Sequence, residues 1–142
     1  MSTAVNKVLA SRILDEIFSQ GNLSHIDELF APGIVVHDPD KELHGMEQVK
    51  QGITRLRDAF PDLYYTIEDM IAEGDKVVVR FTGRGTHRGE FRGVPPTDKE
   101  MSYTGIMILR FVDRKVVDYW AVSDALGIFR QLGVILPPTH SS

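Results

Sequence analysis

The chain of 142 residues contains no cysteine, so a disulfide framework, a thiolate nucleophile and a cysteine-bound zinc are excluded at the outset. It also lacks any excess of positive charge. Sixteen Lys and Arg against twenty Asp and Glu leave a formal −4, which offers no broad attraction to phosphate backbones or anionic lipid. Nucleic acid is therefore not an expected partner. No apolar run approaches the ~20 residues of a bilayer span, and Met1 to Ala10 shows no basic segment followed by an apolar stretch. Neither a membrane nor a targeting signal is read, and the cytoplasm is the expected compartment. The five histidines, His25, His37, His44, His87 and His140, form no i, i+4 pair and no short ligand pattern, so no metal is expected. Glycine-rich nucleotide-binding loops and a Gly-x-Ser-x-Gly elbow are missing as well, which leaves nucleotide cofactors and a serine triad without support. No cofactor is expected.

What is present is an ordinary globular mixture, 42% hydrophobic and 25% charged, long enough to bury one core. The expectation is a single domain over residues 1–136 with a tail from Pro137 to Ser142. Val5, Val8, Leu9, Ile13, Ile17 and Phe18 recur at helical spacing between Thr3 and Ser19, with Gly21 able to end the helix. A shorter helix from Leu23 to Phe30, stopped by Pro32, would complete a hairpin. Ile34-Val35-Val36 reads as a short strand running into a turn at His37-Asp38-Pro39. Met46, Val49, Ile53 and Leu56 return to helical spacing as far as Phe60 and Pro61. Beyond Pro61 the pattern turns to long strands: Leu63 to Ala72, Lys76 to Arg88, Met101 to Val112 and Val116 to Val122. Glu73-Gly74-Asp75 and Asp113-Arg114 are short enough to join antiparallel neighbours. Asp124 opens a closing helix through Leu132, with Gly133 at its end. The fold class is thus α+β: a curved mixed sheet of about five strands packed on three to four helices around a pocket.

Four segments carry a family likeness: Phe60-Pro61-Asp62, Gly85-Thr86-His87-Arg88-Gly89, Gly93-Val94-Pro95-Pro96-Thr97 and Gln131-Leu132-Gly133. Together they resemble the SnoaL-like polyketide cyclases over nearly the whole chain. That family belongs to the nuclear transport factor 2-like fold, shared with ketosteroid isomerase, scytalone dehydratase and limonene epoxide hydrolase. The resemblance implies a cone-shaped, cofactor-free domain, often a homodimer through its sheet, whose pocket holds a small, hydrophobic, oxygenated molecule. It implies ring closure by intramolecular aldol chemistry, with an acid-base carboxylate on the last strand. That position matches Ala121, and a histidine position on the preceding strand matches Met107. Neither side chain can move a proton, so the family's mechanism does not transfer unchanged.

Other polar residues compete for that role. His37 is the leading acid-base candidate, since an imidazole titrates near neutral pH; the competing reading sets it beside a surface turn formed by Asp38, Pro39 and Asp40. Asp38 is read as part of that turn. His87 stands in the Gly-Thr-His-Arg-Gly segment, either at the pocket mouth or shaping a sheet edge. Asp124 is the nearest carboxylate after Ala121, although a residue opening a helix reads more simply as its N-cap. Strand alternation places Met101, Tyr103, Gly105, Met107 and Leu109 on one face, and the resemblance turns that face toward the pocket. Tyr103, Met107, Trp120 and Ala121 are thus the expected ligand-binding residues, with Trp120 either stacking on a planar ligand or packing in the core. Arg80, between Val79 and Phe81, is expected to face solvent or a carboxylate. Three functions follow: a cofactor-independent cyclase or isomerase acting on a carbonyl-bearing small molecule, a non-catalytic binding protein of the same fold, or a structural dimer whose pocket is filled by its own side chains.

Overall fold

Helix formation starts at Ser2, whose hydroxyl accepts the Val5 N–H at 3.3 Å and so satisfies one of the unpaired donors of a first turn. The computed structural model describes residues 2–134, and the tail expected from Pro137 to Ser142 lies outside them. Helix α1 spans Thr3–Arg12. The helix continues to Ser19 as expected, but Ile13–Ser19 widens to π-helical pitch and buries Ile13, Leu14, Ile17 and Phe18. Arg57 holds its end by donating to the carbonyls of Phe18 at 2.7 Å and Ser19 at 2.9 Å, groups that have no partner within the helix.

The second helix is shorter than the sequence pattern predicts. A 3-10 turn, Leu23–His25, leads into one α turn, α2 at Ile26–Leu29, and Phe30 opens strand β1, Phe30–His37. Pro32 explains the change, because it lacks an N–H and pushes the preceding Ala31 toward extended geometry. A three-residue strand unmarked by any alternation, β2 at Glu42–His44, precedes α3 at Gly45–Ala59. The long strands stand within a residue or two of their expected bounds: β3 Tyr64–Glu73, β4 Lys76–Thr86, β5 Glu100–Val112 and β6 Lys115–Ser123. Asp113 and Arg114 take φ of 51° and 67°, the geometry of a two-residue hairpin turn. Helix α4, Ala125–Gln131, closes the described chain.

One six-stranded sheet results, in the order β2-β1-β6-β5-β4-β3, with every neighbour antiparallel except β1 and β6. Its inner face carries Val77, Val79, Phe81, Tyr103, Met107, Leu109 and Phe111, all buried. The helices lie over that face. The loop between β4 and β5 folds back onto the end of α3, where the Gly89 N–H donates to the Ala59 carbonyl. A β-carbon at Gly89 would fall 2.2 Å from the Asp58 carbonyl oxygen, which accounts for glycine in that segment.

The outer face is polar at one end. His37 places Nδ1 3.0 Å from Glu42 and Nε2 3.1 Å from Asp118, and its ring stacks on Trp120 with centroids 4.9 Å apart. A neutral imidazole can donate from only one nitrogen, so two carboxylate partners favour the doubly protonated ring. The hydrogen bond to Asp118 is the main cause of a His37 pKa above its ordinary 6.5. The same bond, with that from Arg110, holds Asp118 below its ordinary 3.8. Arg110 binds Asp118 at 2.7 Å and reaches Asp75 at 3.6 Å, while His44 lies 3.3 Å from Glu42. The chain of charges therefore runs from β2 across β1, β6 and β5.

Stability should follow these shifts. The His37 contribution is fully present below pH 6.5 and disappears as pH rises through its raised folded value, whereas the Asp118 contribution is present above pH 3.8 and disappears on acidification through its lowered folded value. The difference in melting temperature between the parent protein and His37→Gln should be greatest between those limits and shrink toward pH 9. An equal difference at pH 5.5 and pH 9 would contradict this account.

Candidate active site

The helices leave part of the concave sheet face uncovered, and a cavity of about 660 Å³ lies between α3, the sheet and the β4–β5 loop. A pocket filled by its own side chains, as a purely structural dimer requires, is not what the chain forms. Phe18, Phe30, Val36, Val49, Ile53 and Phe91 supply apolar wall, and Lys41, Arg55, Arg92, Asp58 and Glu90 stand around it. Five residues with hydroxyl or carboxyl groups line it from the sheet side: Asp38, Tyr65, Tyr103, Tyr119 and Ser123.

Asp38 corrects the reading of the turn. Ile34, Val36 and Asp38 share one side of β1, and the first two are buried, so the third continues into the cavity instead of joining a solvent-facing turn. Burial raises the Asp38 pKa, against the opposing pull of Arg92 and Lys41. The carboxylate also contributes to raising Tyr119, as expected of a negative charge close to a phenol. One residue beyond the last register pair, His37 with Trp120, Asp38 and Ala121 stand at the same level on adjacent strands.

Tyr65 and Tyr103 meet through their hydroxyls. One donates to the other, which leaves one O–H free to donate into the cavity. Burial pushes the Tyr103 hydroxyl up to about 12 and Tyr65 well above its ordinary value, so both remain protonated donors near neutral pH. Phe18 and Phe81 stack on the two faces of Tyr65, with centroids 5.1 and 4.7 Å away.

The other expected site residues separate. Tyr103 and Ala121 line the cavity. Met107, the cross-strand partner of Ala121, is fully buried core. His37 belongs to the outer-face network and does not line the cavity. Trp120 lies on that outer face too, stacked on His37 and outside the cavity lining. His87 is fully buried, with Nδ1 3.2 Å from the Thr97 N–H and 3.0 Å from its hydroxyl; it ties the β4–β5 loop to the end of β4. Asp124 caps α4, accepting the Gly127 N–H at 2.9 Å. Arg80 meets Asp69 at 2.6 Å on the exposed face, as expected. Among the described residues no group of three or more His, Asp or Glu could hold a metal ion, and no helix is long and apolar enough to cross a membrane. Tyr65 and Tyr119 are not among the expected site residues, and Asp38 is expected only as part of a turn; period-two alternation outward from Leu63 carries the signal for Tyr65.

Comparison with known proteins agrees with this architecture. The family model described as SnoaL-like polyketide cyclase matches residues 8–132. The chain is 32% identical over 139 residues to the aklanonic acid methyl ester cyclase DnrD of Streptomyces peucetius, covering 94% of this chain and 92% of that protein. It is 30% identical over 121 residues to the nogalonic acid methyl ester cyclase of Streptomyces nogalater, covering 82% and 89%. Among solved structures, AclR of Streptomyces galilaeus, described as a candidate hydroxylase, superposes with a TM-score of 0.85 at 35% identity over 95% of this chain and all of that one. The family whose likeness was read from four short segments is matched along the whole framework that builds the cavity, and the chain belongs to the SnoaL-like polyketide cyclases.

Proposed function

We propose that the protein is a cofactor-independent cyclase that closes a ring in an aromatic polyketide ester by intramolecular aldol addition, with Asp38 as its acid-base residue. The carrying observation is a partly buried carboxylate of raised pKa inside the cavity, level with Ala121, where the resemblance places the family's own carboxylate. Ionised Asp38 removes a proton from a carbon beside a carbonyl. The charge that develops on the enolate oxygen is met by the free O–H of the Tyr65–Tyr103 pair. The enolate carbon then attacks a second carbonyl of the same molecule, and protonated Asp38 returns its proton to the new alkoxide. A carbon–carbon bond forms, one proton changes place, and the mass of the substrate is unchanged. In bond terms the reaction is an isomerisation built on the aldol chemistry of lyases.

Apolar Met107 and Ala121 favour a second reading, in which the cavity binds such a molecule without converting it. We further assign the protein to the cytoplasm as a homodimer through the outer sheet face, a proposal supported by the family resemblance and by Ile71, Ile106 and Val122, which are 65%, 49% and 64% exposed there.

With nogalonic and aklanonic acid methyl esters as substrates, the parent protein should yield a cyclised product of unchanged mass. Asp38→Asn should lower kcat by about 10²- to 10⁴-fold, the usual contribution of a general base. Tyr103→Phe should lower it by about 10²- to 10³-fold, as loss of one oxyanion donor does. A ligand that raises the melting temperature and is recovered unchanged would favour the binding reading, and a product heavier by one oxygen would exclude the aldol. In sedimentation, the parent should run as a dimer and Ile106→Glu/Val122→Glu as a monomer; a monomeric parent would dispose of the interface.

A further inference from the structure

The hydroxyls of Tyr65 and Tyr103 meet although their strands are not neighbours. Tyr65 pairs with Gly83 across β3 and β4, and Gly83 with Tyr103 across β4 and β5, so the three residues form one row. Adjacent strands lie ~4.8 Å apart, which separates the two tyrosine backbones by about 10 Å with a whole strand between them. Any side chain at the middle position would stand between the rings.

We infer that Gly83 is the positioning residue of this site, its missing side chain being what allows Tyr65 and Tyr103 to join over the central strand. A β-carbon at Gly83 would fall 2.6 Å from Cε1 and 2.9 Å from Cζ of Tyr103, and 2.8 Å from Cε1 of Tyr65. Carbon atoms in contact prefer about 3.5–4.0 Å. The backbone itself does not call for glycine, because Gly83 is not among the residues of positive φ. Nor can Tyr65 turn away, being held between Phe18 and Phe81 with its N–H bonded to Ser19 Oγ at 2.9 Å. The ring that would yield is Tyr103, which meets Tyr65 and Phe81 only edge-on.

The neighbouring row repeats the arrangement. Phe81, Gly105 and Ser123 are successive partners across β4, β5 and β6, and a β-carbon at Gly105 would stand 2.6 Å from Cζ of Phe81. Phe81 therefore leans over one glycine while it supports the ring that leans over the other. Two glycines of ordinary φ thus shape the cavity floor by the space they leave.

The inference rests on the reading of the tyrosine pair as the oxyanion donor, and its test separates the two. The chain has four tyrosines, so 13Cζ-tyrosine labelling gives four signals, assigned by single Tyr→Phe variants. Gly83→Ala should move the Tyr103 signal as Tyr65→Phe does, and adding Tyr65→Phe to Gly83→Ala should move it little further. Activity should fall by about the factor lost in Tyr103→Phe, some 10²- to 10³-fold, in kcat more than in KM. An unmoved Tyr103 signal, or shifts that add in the double variant, would overturn the proposal. Should Gly83→Ala fail to fold, it is expected to be tolerated in a Tyr65→Leu/Tyr103→Leu background, where neither ring contests the space; a Gly83→Ala that still unfolds that background would show that the backbone requires the glycine, and the proposal would fall. A broken pair in a protein whose parent converts no polyketide would leave Gly83 as the positioning residue and remove the cyclase reading instead.

Discussion

Two phenolic hydroxyls sit on buried rings at the cavity floor, and a buried hydroxyl left unpaired costs roughly 1–3 kcal/mol. Tyr65 and Tyr103 resolve this by bonding to each other, and much of the surrounding architecture serves that contact. Curvature of the sheet brings the outer strands inward over β4. Gly83 leaves the space. Phe18 is placed against Tyr65 by the widened end of the first helix, which Arg57 fastens to α3 through two backbone carbonyls. The cavity is therefore organised around one hydrogen bond between residues 38 positions apart in the chain.

The two faces of the sheet divide the polar residues by purpose. His37, Asp118, Arg110 and Glu42 are all charged or chargeable, all close in sequence or in space to cavity residues, and all on the outer face. There they join four strands through hydrogen bonds that water can reach, a setting in which individual ion pairs contribute little and networks contribute more. Asp38 is the next residue after His37 and faces the other way. Its carboxylate has less water, and burial outweighs the pull of Arg92 and Lys41 in setting its protonation. Neighbouring residues on one strand thus acquire opposite chemistry from the pleat alone.

That pleat also explains how a SnoaL-like chain can have alanine at the expected carboxylate position. Ala121 and Met107 are cross-strand partners, and their joint apolar character removes acid-base groups from the β5–β6 part of the floor. A carboxylate from the adjacent parallel strand stands at the same level. Because β1 and β6 are parallel, both approach the cavity from the same end, so a proton-transfer group can belong to either strand and face the same substrate atom.

The secondary structure of the chain is largely written in periodicity. The strands from Tyr64 to Ser123, the helix from Gly45 to Ala59 and the cap at Asp124 follow from alternation, helical spacing and turn residues, each of which acts over only a few positions. Alternation also groups Tyr103 and Met107 on one face of β5, and the family likeness turned that face inward. Faces were not legible where the local pattern was silent: Ile34-Val35-Val36 is apolar at every position, so nothing nearby tells whether His37 or Asp38 turns inward. The three-residue β2 and the π-helical turn were equally hidden, since both depend on partners distant in sequence. Only the tertiary structure decided that Asp38 enters the cavity while His37 and Trp120 leave it, and that Tyr65 reaches Tyr103 over Gly83. Those outcomes depend on which strands become neighbours and in what register, and no property of a single segment specifies that.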